Sequence, residues 1–223
     1  MAATSTAETY ATRRLAMVNS QLRTGDVVDQ EVLSAFLETP RERFVAPAFV
    51  ELAYLDRDAP ALGSKSRRLL APLVLARMLQ AAAVMAGDRA LDVGGGSGYG
   101  AAILAAMGAN VVALESDLGA AEAARQALSG QANMTVVHGP LDSGAKSLGP
   151  FDLIVVEGAF EVPPDALLSL LADGGRLVGI DATMGASQAA LYERRGEGIS
   201  RRALFETVAP TLDGFQARMS FTF

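Results

Sequence analysis

The spacing of apolar residues changes near residue 88. Before it they recur at helical intervals: Leu15, Val18 and Leu22 within 13–24, then Val32, Leu33, Phe36 and Leu37 in a stretch that Asp29 can cap and Pro40 stops. A loop-rich region, 40–68, holds Pro47, Pro60 and Gly63. Pro72 then sits where the first turn of a helix tolerates proline, and that helix is expected to run to about Met85, with Gly87-Asp88 ending it. Beyond 88, short β-rich apolar runs alternate with helical stretches. Strands are expected at 90–93, 111–114, 134–137, 151–156 and 176–180, and helices at about 99–107, 118–128 and 164–171. The run 151–156 is almost continuously apolar, as in a strand buried on both faces. Residues 189–195, 201–208 and 218–223 read as strands with few helical signals. The alternation predicts an α/β fold with a doubly wound, mostly parallel, Rossmann-like sheet, extra N-terminal helices and antiparallel C-terminal strands. A single domain over 13–223 is expected, helices and loops in 13–88 and the sheet core in 89–223, after a frayed 1–12.

Composition narrows the chemistry. Half of the 223 residues are hydrophobic, enough for a packed core. A net charge of −6 gives no bulk attraction for a phosphate backbone, so no nucleic-acid partner is expected. The absence of cysteine excludes disulfides, thiolate metal sites and thiol nucleophiles, and His138, the single histidine, leaves no pair for a zinc site. The first residues have neither a basic nor an apolar leader segment, and the apolar stretch 69–85 is broken by Pro72, Arg77 and Gln80. A soluble, cytoplasmic protein without a membrane partner is expected. The sequence carries no signal of oligomeric state.

The sharpest local feature is Leu91-Asp92-Val93-Gly94-Gly95-Gly96-Ser97-Gly98-Tyr99-Gly100, between a strand end and a helix start. Glycines there let the backbone pass close to a ligand. Two registers compete. Gly96 to Ala101 fits the dinucleotide pattern G-x-G-x-x-G/A. The other starts at Gly94 and reads Asp-x-Gly-x-Gly-x-Gly, with Asp92 just upstream. Glu115 ends the next strand, where a carboxylate can accept both hydroxyls of a ribose. Both ligand classes use an acid at that point, so Glu115 does not separate them. The Asp92 register resembles the first motif of class I S-adenosylmethionine-dependent methyltransferases.

Outside the loop, Met17-Val18-Asn19-Ser20-Gln21-Leu22-Arg23, Val32-Leu33-Ser34-Ala35-Phe36, Pro40-Arg41-Glu42-Arg43-Phe44-Val45 and Ala53-Tyr54-Leu55-Asp56 resemble the amino-terminal region of protein-L-isoaspartate O-methyltransferases. Pro150-Phe151-Asp152 and Gly174-Gly175-Arg176-Leu177-Val178 continue the likeness in the same order, over about residues 13–180. The resemblance implies S-adenosylmethionine as cofactor and an isoaspartyl-containing protein or peptide as substrate, methylated on a carboxylate. It places cofactor contacts at Asp92, Gly94, Gly95, Gly96, Ser97, Gly98, Tyr99, Glu115, Ser116, Pro140 and Leu141. Glu157 joins them because strand carboxyl ends face the crevice of an open α/β sheet.

The chain departs from the family at two places. Where members carry Thr-Ile-Ser before the helix-opening proline, it has Arg68-Leu69-Leu70, and Leu70 offers no hydroxyl. Where members carry Gly-Asp-Gly after the third strand, it has Gly139-Pro140-Leu141. Arg67, Arg68 and Leu70 are therefore the loop candidates for catalysis, the arginines able to pair with an anionic substrate. The alternative expectation is an S-adenosylmethionine-binding paralogue with a different acceptor or no catalysis. His138 reads as a hydrogen-bonded structural residue or an adenine neighbour, and Asp152 as structural. Arg194, Arg195, Arg201 and Arg202 read as a charge-balanced edge.

Overall fold

The computed structural model describes residues 6–217. The chain opens with α1 (Thr6–Met17), continues through a π-helical turn (Val18–Leu22) and a 3-10 turn (Arg23–Gly25), and reaches α2 (Gln30–Glu38). Asp29 caps α2 as expected, its carboxylate accepting from the Glu31 and Val32 N–H groups at 2.9 and 3.2 Å. Of the stretch 1–12 expected to be frayed, residues 6–12 are helical, and residues 1–5 lie outside the described residues. Tertiary anchors hold the helix: the Tyr10 hydroxyl donates to Glu51 at 2.6 Å and Arg13 pairs with the same carboxylate at 2.6 Å.

Within the expected loop region, β1 (Ala59–Pro60) pairs antiparallel with β2 (Arg68–Leu69). Strands of two residues have no period to read, so sequence patterning misses them. Next, α3 (Pro72–Ala82) starts at Pro72 as expected but stops before Gly87, with Ala83 at φ +48°. Arg176 explains the early stop, because its guanidinium donates to the carbonyls of Ala82 and, at 2.7 Å, Ala83. Those carbonyls would otherwise be orphaned at the helix end.

The sheet core follows as β3 (Arg89–Val93), α4 (Tyr99–Ala106), β4 (Asn110–Glu115), α5 (Leu118–Ala127), β5 (Met134–His138), β6 (Phe151–Phe160), α6 (Asp165–Leu168), β7 (Leu171–Asp181), β8 (Gln188–Arg195) and β9 (Gly198–Glu206). Strand order is β5-β4-β3-β6-β7-β8-β9. The first five of these run parallel and β8 and β9 are antiparallel, the expected architecture. Winding reverses between β3 and β6, which opens a ligand crevice outside the carboxyl ends of those strands. Alternate residues of β6 enter two cores: Leu153 and Val155 join Leu75 and Met78, whereas Ile154 and Val156 join Leu114 and Leu177.

Some boundaries differ from expectation. The helix foreseen at 164–171 is one turn, because Leu171 is drawn into β7 opposite Phe151. β6 continues to Phe160, so Glu157 lies within a strand, at a register shift between Val155 and Ala159, rather than after one. The strand expected at 218–223 lies outside the described residues. Among the described residues no helix is long and apolar enough to cross a membrane.

Candidate active site

The tract between β3 and α4 needs glycine for two reasons. Gly94, Gly96 and Gly98 take φ of +72°, +63° and +90°, the left-handed region that side chains disfavour. Gly95 and Gly100 are instead crowded by acids. A Cβ at Gly95 would lie 2.4 Å from Asp92 Oδ2, and one at Gly100 would lie 1.6 Å from Glu157 Oε1. Ser97 and Tyr99 turn their side chains into the protein. The Ser97 hydroxyl donates to the Phe44 carbonyl, and the buried Tyr99 ring packs edge-on against Phe36.

Glu115, at the end of β4, is buried and heavily engaged. Its Oε1 accepts from the backbone N–H groups of Ser116 and Asp117 at 2.7 and 2.9 Å and from Arg67 Nε at 2.8 Å. Its Oε2 accepts from Gly96 N–H at 3.0 Å, tying the acid to the glycine loop. Arg67 also donates to Ser116 Oγ at 2.6 Å and to Asp213 Oδ2 at 2.9 Å. Thus Arg67, a loop candidate for substrate contact, is committed to Glu115, and Ser116 serves that pairing. Arg68 is exposed. Leu70 is buried, with its carbonyl accepting from Arg41 at 2.9 Å.

Asp92, near the end of β3, and Glu157, at the register shift within the adjacent β6, form a buried carboxyl pair. Among the described residues, none of their four oxygens receives a hydrogen bond of normal geometry from an N–H or O–H, although the Ala101 N–H lies near Asp92. Burial, and then the neighbouring Glu157 charge, push the Asp92 carboxyl well above the usual carboxylate range. Burial likewise raises Glu157 to about 6, against the opposing effects of the Asp92 hydrogen bond and the Arg41 charge. Both shifts favour one proton shared between the two carboxyls. Arg41 is fully buried, stacks 4.7 Å from the Tyr99 ring centroid and, among the described residues, has no hydrogen-bond partner for Nε and Nη1.

The sign of the resulting pH dependence follows from linkage. A carboxyl raised on folding binds its proton more tightly in the native state, so it contributes stability at low pH that disappears as pH rises through about 6. A rise from 4.5 to about 6 corresponds to about 2 kcal/mol. Glu157→Gln offers an amide N–H to Asp92 in place of the shared proton. Its melting temperature relative to the parent is expected to climb by several degrees between pH 5 and pH 8 in thermal denaturation. Parallel curves would refute the shared proton.

Other expected contacts fall around this centre. Leu141 is buried and, with Leu212, lies against Gly94; a Cβ there would sit 2.9 Å from Leu212 Cδ1 and 3.4 Å from Leu141 Cδ1. Pro140 accepts from Gly144 N–H at 2.7 Å through its carbonyl. His138 Nε2 hydrogen-bonds the Ser116 carbonyl at 3.1 Å, its structural reading. Asp152 accepts from Arg89 N–H at 2.9 Å at the opposite end of the sheet. Arg201 pairs with buried Asp181 at 2.6 Å, so the late arginines are not all solvated. Sequence reasoning missed the 207–217 segment. It runs beside the end of β6, where Leu212 N–H donates to the Ala159 carbonyl at 2.9 Å, and delivers Leu212 and Asp213 to the crevice. The cavity remaining between Arg67, Leu70, Glu157 and Leu212 is about 20 Å³.

Comparison with known proteins agrees with this arrangement. The family model described as Protein-L-isoaspartate(D-aspartate) O-methyltransferase (PCMT) matches residues 12–209. A protein-L-isoaspartate O-methyltransferase of Koribacter versatilis is 38% identical over 181 residues, 80% of each chain. One of Bordetella petrii is 39% identical over 212 residues, 92% of this chain and 76% of the relative. Among solved structures, a protein-L-isoaspartate O-methyltransferase superposes with a TM-score of 0.80 at 24% identity, over 90% of this chain and 66% of that one. A beta-aspartate methyltransferase (PCMT) from Plasmodium falciparum, in complex with S-adenosyl-L-homocysteine, gives 0.78 at 23% identity, over 90% and 98%. The structural likenesses show the fold. The sequence matches show more: this chain belongs to the protein-L-isoaspartate(D-aspartate) O-methyltransferase family, whose members are S-adenosylmethionine-dependent enzymes.

Proposed function

We propose that the chain transfers a methyl group from S-adenosylmethionine to the carboxylate of an isoaspartyl residue in protein. The observation that carries this reading is a left-handed glycine loop between two buried strand-end acids, with Gly96 N–H bound to Glu115. The donor set suits the cofactor. Asp92 and Glu157 present carboxylate oxygens without donors, as a ligand bearing an ammonium and a sulfonium requires. Glu115 is the acid for a ribose diol, and Leu141 and the glycines supply an apolar wall. The cofactor brings a methyl carbon on a cationic sulfur.

What remains for the protein is positioning. An acceptor carboxylate is ionised near pH 7, so no side chain need remove a proton. Holding oxygen, methyl carbon and sulfur in line and keeping water away suffices for displacement. That accounts for an active centre without a cysteine and for a histidine spent on structure. Arg68, exposed beside the small cavity and without a side-chain hydrogen bond or ion pair among the described residues, is a guanidinium able to meet an anionic acceptor. The family match over residues 12–209 favours this acceptor over a redirected one. The test is incubation with methyl-labelled S-adenosylmethionine and an isoaspartyl peptide beside its aspartyl twin. Label is expected as a base-labile ester on the isoaspartyl peptide alone; ester on neither peptide, with cofactor bound, would refute the acceptor.

A further inference from the structure

We propose that Arg67 is a built-in occupant of the ribose site, a latch that the nucleoside must displace before it can bind. The inference rests on the reading of Glu115 as the ribose acid. A carboxylate offers about four lone-pair directions. Glu115 already receives four hydrogen bonds, from Arg67 Nε and the N–H groups of Gly96, Ser116 and Asp117. Three of the four fall on Oε1, which has no direction left for a hydroxyl, and Oε2 keeps one, so a ribose diol cannot seat both hydroxyls while Arg67 stays. The three backbone donors belong to the loop and strand end that form the site, so Arg67 is the donor that can leave.

Its surroundings are those of a seated but detachable segment. Arg67 is 7% exposed and reaches Glu115 from between β1 and β2, strands of two residues each. The ends of the segment are anchored, by Leu62 N–H on the Phe44 carbonyl at 2.9 Å and Arg41 on the Leu70 carbonyl at 2.9 Å, and its tip is held more lightly: Arg67 N–H to Ser64 Oγ at 2.9 Å, Ser64 Oγ to Asp117 at 2.7 Å, and Ala61 N–H to the Arg67 carbonyl at 3.0 Å. On the outer side Arg67 is held by Asp213, whose side chain is 70% exposed and whose neighbour Leu212 covers Gly94. The 61–70 and 207–217 segments thus close the crevice together through one guanidinium. The cavity beside the seated Arg67, lined by Leu70, Glu157 and Leu212 rather than by Glu115 or the glycine loop, is about 20 Å³, far below the hundreds of Å³ of a ligand pocket, so little room is left on that side of the guanidinium. Apparent affinity is then reduced by the fraction of molecules with Arg67 withdrawn.

Calorimetry with S-adenosylhomocysteine on the parent, Arg67→Ala and Asp213→Ala tests this, with amide hydrogen exchange over 61–70 as a second readout. Arg67→Ala is expected to bind at least tenfold more tightly, and Asp213→Ala, which frees the exposed side and leaves the buried pair intact, at least threefold. In the parent, the ligand is expected to speed exchange at 61–70 while slowing it at the glycine loop. Binding by Arg67→Ala with none by the parent would support the latch most strongly. Parent binding with neither variant tighter, or with slower exchange at 61–70, would overturn it while leaving the cofactor reading intact. No binding by any of the three would overturn the cofactor reading, and the latch with it. Should Arg67→Ala fail to fold, Asp213→Ala and the exchange measurement decide alone.

Discussion

Glu115→Gln is expected to weaken S-adenosylhomocysteine binding about 100-fold. A glutamine keeps the shape of the side chain but has one accepting oxygen, and that oxygen is already claimed by the N–H groups around it. A hydrogen bond to a charged acceptor contributes roughly 1.5–3 kcal/mol. Losing two costs roughly 3–6 kcal/mol, and release of Arg67 from the carboxylate returns about 1.4 kcal/mol of it, which leaves about 3 kcal/mol, near 100-fold at about 1.4 kcal/mol per decade. The substitution also deprives Arg67 of its buried counter-ion, so the folded protein is expected to melt lower. Calorimetry well below the melting transition separates the two effects. An affinity within threefold of the parent would mean that Glu115 does not hold the sugar.

The second large effect concerns the seat of the Arg67 segment. Gly119 lies in the first turn of α5, where helix propensity alone favours alanine over glycine by about 1 kcal/mol. The structure reverses that sign. A Cβ at Gly119 would lie 2.2 Å from the Gly63 carbonyl oxygen, and one at Gly63 would lie 2.3 Å from the Gly119 carbonyl oxygen. Two backbones touch there, and neither has a side chain that can swing aside. Gly119→Ala is expected to cost about 3 kcal/mol, at the upper end of ordinary overpacking. For a chain of this size that is a fall of roughly 6–12 °C in melting temperature. Gly198→Ala is the control, because its nearest neighbour would lie at 3.6 Å. An unchanged or higher melting temperature for Gly119→Ala would show that the 61–70 segment does not rest on α5.

What the sequence made legible were features with a local cause. The parallel core follows from short apolar runs alternating with helical ones, and the run 151–156 shows its two-faced burial directly. The glycine loop and Glu115 are visible because a strand, a turn and a helix lie in one short stretch. Asp29 declares a helix start in the same way. What could not be read depends on partners remote in the chain. Arg67 meets Glu115 across 48 residues and Asp213 across 146. Nothing near Arg67 distinguishes a buried ion pair from a solvated loop arginine. Arg41 appears in sequence as one charge in a Pro-Arg-Glu-Arg string, yet it is fully buried against Tyr99. The end of α3 was misplaced for the same reason, since the group capping its carbonyls comes from Arg176 rather than from the adjacent Gly87. The 207–217 segment lacks periodicity altogether and is placed by its hydrogen bonds to the end of β6.

The most direct measurement is a crystal structure of the protein with S-adenosylhomocysteine. The expected result is the nucleoside against Gly94–Gly98, both ribose hydroxyls on Glu115, and the Arg67 guanidinium withdrawn from that carboxylate. A crevice still closed at saturating ligand, or a nucleoside bound with Glu115 turned away from its sugar, would contradict it.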